Sequence, residues 1–278
     1  MSRMIFKTNP SSKSFCILTI FCFAIIILTK SFSGNLLANE QSITRYLELY
    51  EQYPEAFGPK GDWKKNEMEL IDDLQVMRAI QKQFNQPVGI VAEDRFWLWI
   101  RDALILPSGE HTTYNRFLSK KGLDGPAGVV VLAVTPNNEI LVNLIYRHAT
   151  RSWEIELPRG GRNKGETSEA AARREVKEET GYKVTKILPL GTIAVDSGVF
   201  TNYLKAFFAK IGEVEETTRD DEEIIASNLL LSKDHVIDIF CAGKTELIVN
   251  KQKITAYVRD PFFAYALLLA EKKGFLES

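Results

Sequence analysis

The stretch from Gly160 to Tyr182 reads GGRNKGETSEAAARREVKEETGY, and it determines most of what the sequence predicts. Either Thr167 or Ser168 can cap a helix that starts near Glu169, because a hydroxyl side chain accepts hydrogen bonds from the first backbone N–H groups. The alanines, arginines and glutamates that follow favour helix, and Gly181 can end it in the left-handed conformation. The stretch therefore predicts a glycine-containing loop that leads into a helix.

Three carboxylates share one face of this predicted helix. Glu175, Glu178 and Glu179 are spaced i, i+3 and i+4, and like charges at this spacing destabilise a helix by about 0.2–0.5 kcal/mol per pair. A hard divalent cation reverses that repulsion, because Mg²⁺ prefers carboxylate oxygens. Arg174 lies one turn before Glu178 and can brace its carboxylate. A solvated, charge-rich surface helix is the alternative for the three glutamates alone, so the complete spacing of the stretch is needed.

That spacing resembles the Nudix box. Five residues separate Gly160 from Glu166, seven separate Glu166 from Arg174, and the run that follows is REVKEETG up to Gly181. Only Tyr182 departs from the pattern, since the family more often has an aliphatic residue there. The resemblance implies a hydrolase of nucleoside diphosphates linked to another moiety, with Mg²⁺ or Mn²⁺ as cofactor. It also implies an α+β fold, an α/β/α sandwich around a mixed sheet, in which the box forms a loop–helix–loop.

The resemblance assigns roles to residues of the box and its surroundings. The metal ligands it implies are Glu175, Glu179, Glu178 and the backbone carbonyl of Arg159. Glu178 and Arg174 are also catalytic candidates, and the loop is shaped by Gly160, Glu166 and Gly181. The residue that deprotonates or orients the attacking water is expected in the acidic run 219–223, as Glu222 or Glu223; a solvated acidic loop is the alternative.

The residues before the box resemble those of the ADP-ribose pyrophosphatases and related nucleotide-sugar hydrolases. WEIELPRG at 153–160 follows a predicted strand that ends in Arg147, although Ser197 stands where such enzymes commonly carry a proline. The function implied is Mg²⁺-dependent cleavage of ADP-ribose, or a related nucleoside diphosphate sugar, to a nucleoside monophosphate and a sugar phosphate. The alternatives are another Nudix substrate, such as a nucleoside triphosphate, a dinucleoside polyphosphate or capped RNA, and a non-catalytic nucleotide sensor.

Candidates for substrate binding lie on both sides of the box. Arg147 and Arg151 offer forked donors for a phosphate or a ribose, and Phe200 can stack on a base. Glu156, in the Glu-Leu-Pro approach to the box, is the fourth candidate. By the same resemblance, paired strands at 95–106 and 111–118 predict a homodimer.

Composition narrows the classes of partner. With 35 basic and 36 acidic residues the formal net charge is -1, and no basic run is present, so nucleic acid is not an expected partner. Three cysteines are too few for a disulfide framework, and Cys241, beside Phe240, is predicted to be a small buried residue.

An apolar run at 15–28 follows Arg3, Lys7 and Lys13 and is closed by Lys30. As a helix it spans about 21 Å, less than the roughly 30 Å of hydrocarbon in a bilayer, which favours a signal-peptide core over a relaxed span. An uncleaved anchor and a buried soluble helix are the alternatives. The expected location is membrane-associated or exported, with the cytoplasm as the alternative because nucleotide sugars are mostly intracellular.

The chain is expected to comprise a signal or anchor segment (1–34), a helical extension (35–87) and a Nudix hydrolase domain (88–278). Apolar periodicity predicts helices at 43–53, at about 62–84 and at 261–272, with a break at 54–61. Strands are predicted at 95–106, 111–118, 129–134, 140–146, 183–194 and 202–211.

Overall fold

The computed structural model describes residues 40–214 and 224–276. Its helices are α1 (residues 40–52), α2 (Pro54–Phe57), α3 (Leu74–Phe84), α4 (Ser168–Thr180), α5 (Lys233–Ala242) and α6 (Pro261–Lys272). Its strands are β1 (Glu69–Leu70), β2 (Gly89–Glu93), β3 (Trp97–Ile105), β4 (His111–Ser119), β5 (Gly128–Val134), β6 (Ile140–Arg147), β7 (Ser152–Glu156), β8 (Arg159–Gly161), β9 (Tyr182–Ala194), β10 (Tyr203–Val214), β11 (Ile225–Leu231), β12 (Lys244–Val249) and β13 (Gln252–Tyr257). Short 3-10 helices occur at Trp63–Lys65 and Lys120–Gly122.

Two compact units make up the described chain. The first contains residues 40–49, Lys60–Val91 and Ile100–Tyr114, and the second contains Tyr50–Pro59, Ala92–Trp99 and residues 115–276. The sequence predicts a boundary at residue 88 between a helical extension and the Nudix domain. Both units contain segments from before and after residue 88, and the boundary remains a prediction.

The first unit is held by polar contacts of α1. Ser42 donates from its hydroxyl to the carbonyl oxygens of Val88 and Ile90 (2.8 and 2.6 Å), and the Tyr46 hydroxyl donates to Asp102 at 2.8 Å. The predicted helix at 43–53 is present as α1. The one predicted at about 62–84 is wrong over its first half, because Asp73 caps α3 by accepting from the N–H groups of Gln75 and Val76.

A nine-stranded mixed sheet is the centre of the second unit. Its order is β12-β13-β7-β6-β5-β10-β9, with β11 paired to β6 and β8 paired to β5. The β5–β10 and β7–β13 pairs are parallel, and the other pairs are antiparallel. The β5–β8 pair matters most for the site, because it attaches the residues at the start of the box to the middle of the sheet.

Both faces of this sheet are covered by helices. On β5, Val129 and Val131 pack in a cluster with Ala172 and Val176 of α4, whereas Val130 and Leu132 pack in the opposite cluster with residues of α5 and α6. Alternate residues of a strand point to opposite faces, so an entirely apolar strand requires cover on both. The predicted α+β fold, an α/β/α sandwich with helices preceding it, is confirmed.

The predicted signal or anchor segment at 15–28 lies outside the described residues. Within the described ranges, no helix combines the length and the apolarity needed to cross a membrane. Cys241 corrects another expectation: it is exposed near the end of α5 rather than buried, because the buried residues of that helix are Val236 and Ile239.

Candidate active site

The box forms the predicted loop and helix with well-defined caps. The Thr167 hydroxyl accepts from the N–H of Ala170 at 3.1 Å, which selects Thr167 over Ser168 as the cap of α4. At the other end, Gly181 has φ 77° and donates its N–H to the carbonyl of Lys177 at 2.8 Å. These two caps define where α4 begins and ends.

Arg174 binds the carboxylates of the box to one another. Its guanidinium donates to Glu166 at 2.9 and 3.0 Å, to Glu175 at 2.8 Å and to Glu178 at 2.8 Å, and it also reaches the carbonyl of Gly161 at 2.8 Å. The hydrogen bonds to Glu166 raise the pKa of Arg174, and those from Arg174 hold the pKa of Glu166 below its usual range. Arg174 therefore stays charged and orders both the loop and the helix.

The loop approaches α4 so closely that a side chain at position 160 would displace the Glu175 carboxylate. A Cβ atom added to Gly160 would lie 2.1 Å from Cδ of Glu175 and 2.2 Å from each of its carboxylate oxygens. The Glu175 carboxylate thus lies directly against the backbone of the loop. It is largely buried, with 8% of the residue exposed.

Glu179 is also buried, and neutral donors hold its carboxylate. Oε2 accepts from the side-chain amide of Asn143 at 2.6 Å and from the backbone N–H of Arg159 at 3.3 Å. Asn228 of β11 donates in turn to Oδ1 of Asn143 at 2.7 Å. Neither asparagine was predicted as a site residue, although Asn143 stands out in the sequence as a polar residue within the apolar strand ILVNLIY.

The donor atoms of this region fit a hard divalent cation. Glu175, Glu178 and Glu179 lie on one helix beside the loop that carries the Arg159 carbonyl, and carboxylate and carbonyl oxygens are the ligands such a cation takes. Among the described residues, no three acidic, histidine or cysteine side chains are grouped closely enough to hold a metal ion together. Arg174 and Asn143 occupy the carboxylates instead, so coordination of a cation would replace those contacts.

A second group of charged side chains connects β8, at the start of the box, to β6, β7 and the start of α6. The Arg147 guanidinium donates to Glu156 through Nε (3.0 Å) and Nη2 (2.6 Å), and Arg159 pairs with the same carboxylate at 2.7 Å. Arg159 also donates to Oδ1 of Asp260 at 3.1 Å and lies over the ring of Phe262. The sequence predicts Arg147, Glu156 and Arg159 as site residues, and the structure places them in contact with one another. Asp260, which was not predicted, contacts Arg159 in the same group.

Asp260 is unusual among these carboxylates. Its Oδ1 accepts from the N–H of Phe262 and so caps α6, whereas its buried Oδ2 has no hydrogen-bond partner within the described residues. Burial raises the pKa of Asp260. A sequence signal for this position existed, since aspartate directly before proline and an apolar run is typical of a helix start.

Within the described residues, no contact joins the other two candidates, Arg151 and Phe200, to the box carboxylates. Arg151 lies exposed in the turn between β6 and β7 with φ 53°. Phe200 packs against Trp97 and Phe117, and its backbone pairs with Phe117. Glu222 and Glu223 lie outside the described residues.

Comparison with known proteins agrees with this geometry. Residues 125–240 match the model of the NUDIX domain. The chain is 27% identical over 155 residues to an ADP-ribose pyrophosphatase of Bacillus subtilis (strain 168), covering 55% of this chain and 76% of that protein. It is 29% identical over 137 residues to a methanol dehydrogenase activator of Bacillus methanolicus, covering 49% of this chain and 71% of that protein.

One solved structure, described as an ADP compounds hydrolase, shares the fold. It superposes with a TM-score of 0.51 at 21% identity, covering 67% of this chain and 92% of that chain. Nudix hydrolases act on nucleotide-derived substrates and generally use a divalent metal. The caps, the loop and the buried carboxylates lie within the matched residues, and the chain contains a Nudix domain at residues 125–240.

Proposed function

We propose that this protein hydrolyses the diphosphate of ADP-ribose, or of a closely related nucleoside diphosphate sugar, with Mg²⁺ or Mn²⁺ as cofactor. The products would be a nucleoside monophosphate and a sugar phosphate. The observation that carries the proposal is the pair of buried carboxylates, Glu175 and Glu179, held against the loop at Gly160 and Arg159. A buried carboxylate is costly unless a charge or hydrogen bonds compensate it, and a cation bound by both carboxylates would compensate the pair.

In this proposal Glu175, Glu179 and Glu178, with the carbonyl of Arg159, hold the divalent cation. When bound, the cation supplies Lewis acidity and neutralises charge on the diphosphate oxygens. Before the cation binds, Arg174 holds Glu175 and Glu178 through hydrogen bonds, and Glu166 holds Arg174. The loop and α4 therefore carry all the proposed oxygen ligands, and binding of the cation would draw these ligands together.

The chain's own residues also serve the reaction at the phosphates. Water adds its oxygen to one phosphorus and gives up a proton, the bridging P–O bond breaks, and the released phosphate oxygen carries the electron pair away. Glu222 or Glu223 is the proposed acceptor of the water proton. Arg147, held by Glu156 at the end of β6, is the proposed phosphate ligand, with Arg151 and Phe200 proposed for the ribose and the base.

The substrate class rests on the residues before the box and on the relatives. The approach WEIELPRG resembles that of nucleotide-sugar hydrolases, and the similar Bacillus subtilis protein is described as an ADP-ribose pyrophosphatase. Another Nudix substrate or a nucleotide sensor remains the alternative. Retention of all the box carboxylates favours an enzyme over a sensor.

The experiment measures product formation from a panel of nucleoside diphosphate sugars with Mg²⁺ or Mn²⁺. We expect ADP-ribose to be among the better substrates and Glu179→Gln to lower turnover by about a hundredfold or more, beyond the 10–100-fold typical of a group that only supports a ligand. Glu169→Gln, on the exposed start of the same helix, is the matched control. No turnover by the unaltered protein, or equal turnover by both variants, would contradict the proposal.

Three features that accompany this function are proposals as well. The homodimer implied by strands at 95–106 and 111–118 would be tested by sedimentation. A signal or anchor at 1–34 would be tested by fractionation and an N-terminal mass measurement. A domain that begins near residue 88 would be tested by limited proteolysis.

A further inference from the structure

A cavity of about 430 Å³ lies beside the box loop, in the second unit. That volume is within the range of small-molecule sites. Its walls come from the segment after α1, from the turn before β3, from the 3-10 helix after β4 with the residues that follow it, and from the box loop. The lining residues are Tyr53, Arg95, Phe96, Lys120, Lys121, Leu123, Asp124, Arg162, Asn163 and Lys164.

The cavity is strongly basic. Two of its five cations are compensated, since Arg162 pairs with Asp124 and Lys120 pairs with Glu93 at 2.7 Å. Within the described part of the chain, Lys121, Lys164 and Arg95 have no carboxylate within 4.0 Å. The cavity therefore carries net positive charge, and such a site attracts an anion.

The walls of the cavity are firm and partly aromatic. Arg162 is 7% exposed and donates to the carbonyls of Pro126 and Glu166, both at 2.9 Å, so it supports the wall rather than reaching for a ligand. Phe96 is 45% exposed, and the guanidinium of Arg95 lies 4.3 Å from its ring centre. An exposed ring next to a cation suits a planar, aromatic group that carries negative charge.

Strand β8 separates this cavity from the box carboxylates. A Cβ atom on Gly160 would meet Glu175, whereas one on Gly161 would meet Nζ of Lys121 at 2.4 Å. Successive residues of a strand face opposite sides. Lys121 and Glu175 therefore lie on opposite faces of the same strand, and the basic cavity is not an extension of the carboxylate site.

We infer that this cavity is a second binding site, for a nucleoside monophosphate, with the phosphate at Lys121 and Lys164 and the base against Phe96. The site goes beyond the proposed hydrolysis and requires neither the metal nor the box carboxylates. The nucleotide would lie on the face of β8 opposite to the face that contacts Glu175.

The test is calorimetric titration of the full protein with AMP in EDTA, which removes divalent metal. We expect Lys121→Ala/Lys164→Ala to weaken AMP binding about tenfold or more, because each lysine would contribute a charge-assisted hydrogen bond. Lys251→Ala/Lys272→Ala, two exposed lysines that do not line the cavity, should leave it unchanged. Phe96→Ala should weaken binding of AMP but not of inorganic phosphate.

Three results would overturn this inference. The first is a failure of AMP to bind in EDTA, and the second is binding of AMP to the Lys121→Ala/Lys164→Ala variant as tight as to the unaltered protein. The third concerns the substrate itself: if that variant raised KM for ADP-ribose by the same factor as it weakened AMP binding, the cavity would hold one end of the substrate rather than a separate nucleotide. Loss of hydrolysis in Glu179→Gln has no bearing on any of the three.

Discussion

Replacing Gly160 with alanine tests whether the close approach of the loop to α4 is needed for catalysis. The backbone at Gly160 does not have positive φ, so alanine is acceptable there except for its methyl group. That methyl carbon would lie 2.2 Å from each carboxylate oxygen of Glu175, whereas ordinary contacts begin at 3.4 Å. The carboxylate or the loop must therefore move by about 1.2 Å.

A displacement of about 1 Å at a catalytic group costs on the order of a hundredfold in rate. We therefore expect kcat/KM of Gly160→Ala to fall about a hundredfold, measured as AMP released from ADP-ribose at saturating Mg²⁺. The midpoint of metal activation should also rise, because the displaced carboxylate is a proposed ligand. A thermal melt of the same preparation establishes that the variant is folded.

Gly165→Ala is the matched control in the same loop. Gly165 has φ 76°, so alanine strains the backbone there, but no atom lies within 4 Å of the added methyl group. This variant should lose stability and retain most of its activity. Gly160→Ala with activity within threefold of the unaltered protein, or an equal loss of activity in both variants, would refute the role given to the contact between Gly160 and Glu175.

Two other predictions follow from the ion pairs around the loop. Asp260→Asn keeps a capping oxygen for α6 but removes the charge that pairs with Arg159, so the Mg²⁺ concentration for half-maximal activity should rise about tenfold. The control is Glu154→Gln, which changes a buried carboxylate of β7 that pairs with Arg259 and should leave this Mg²⁺ concentration unchanged. Equal shifts in the two variants would contradict the prediction. Because Arg174 lowers the pKa of Glu166, their pair stabilises the fold above pH 4.5 and loses that effect as the pH falls through the lowered pKa. The melting temperature should therefore fall more steeply with acid for the unaltered protein than for Glu166→Gln, and parallel curves would be the contrary result.

Features with a local cause were predicted well from the sequence. The helix of the box has its cap and its terminating glycine within its own stretch, and α6 has Asp260 and Pro261 at its start. β5 is apolar throughout, which by itself indicates cover on both faces. In each case the residues that decide the structure lie next to one another in the chain.

Features that depend on distant partners were missed. The predicted helix at about 62–84 counted Leu70 as part of its apolar stripe, but Leu70 pairs with Leu104 of β3 as a residue of β1. The contact between Asp260 and Arg159 joins residues 101 positions apart, so no local sequence pattern indicates it. The basic cavity likewise combines segments that are separate in the sequence.

The central claim is that Glu175 and Glu179 hold a divalent cation at which a diphosphate is split. Its most direct test is anomalous diffraction from crystals grown with Mn²⁺ and a non-hydrolysable methylene analogue of ADP-ribose. The account predicts a manganese peak coordinated by both carboxylates and by a phosphate oxygen of the analogue. An analogue bound in the crystal with no manganese beside Glu175 and Glu179 would contradict it.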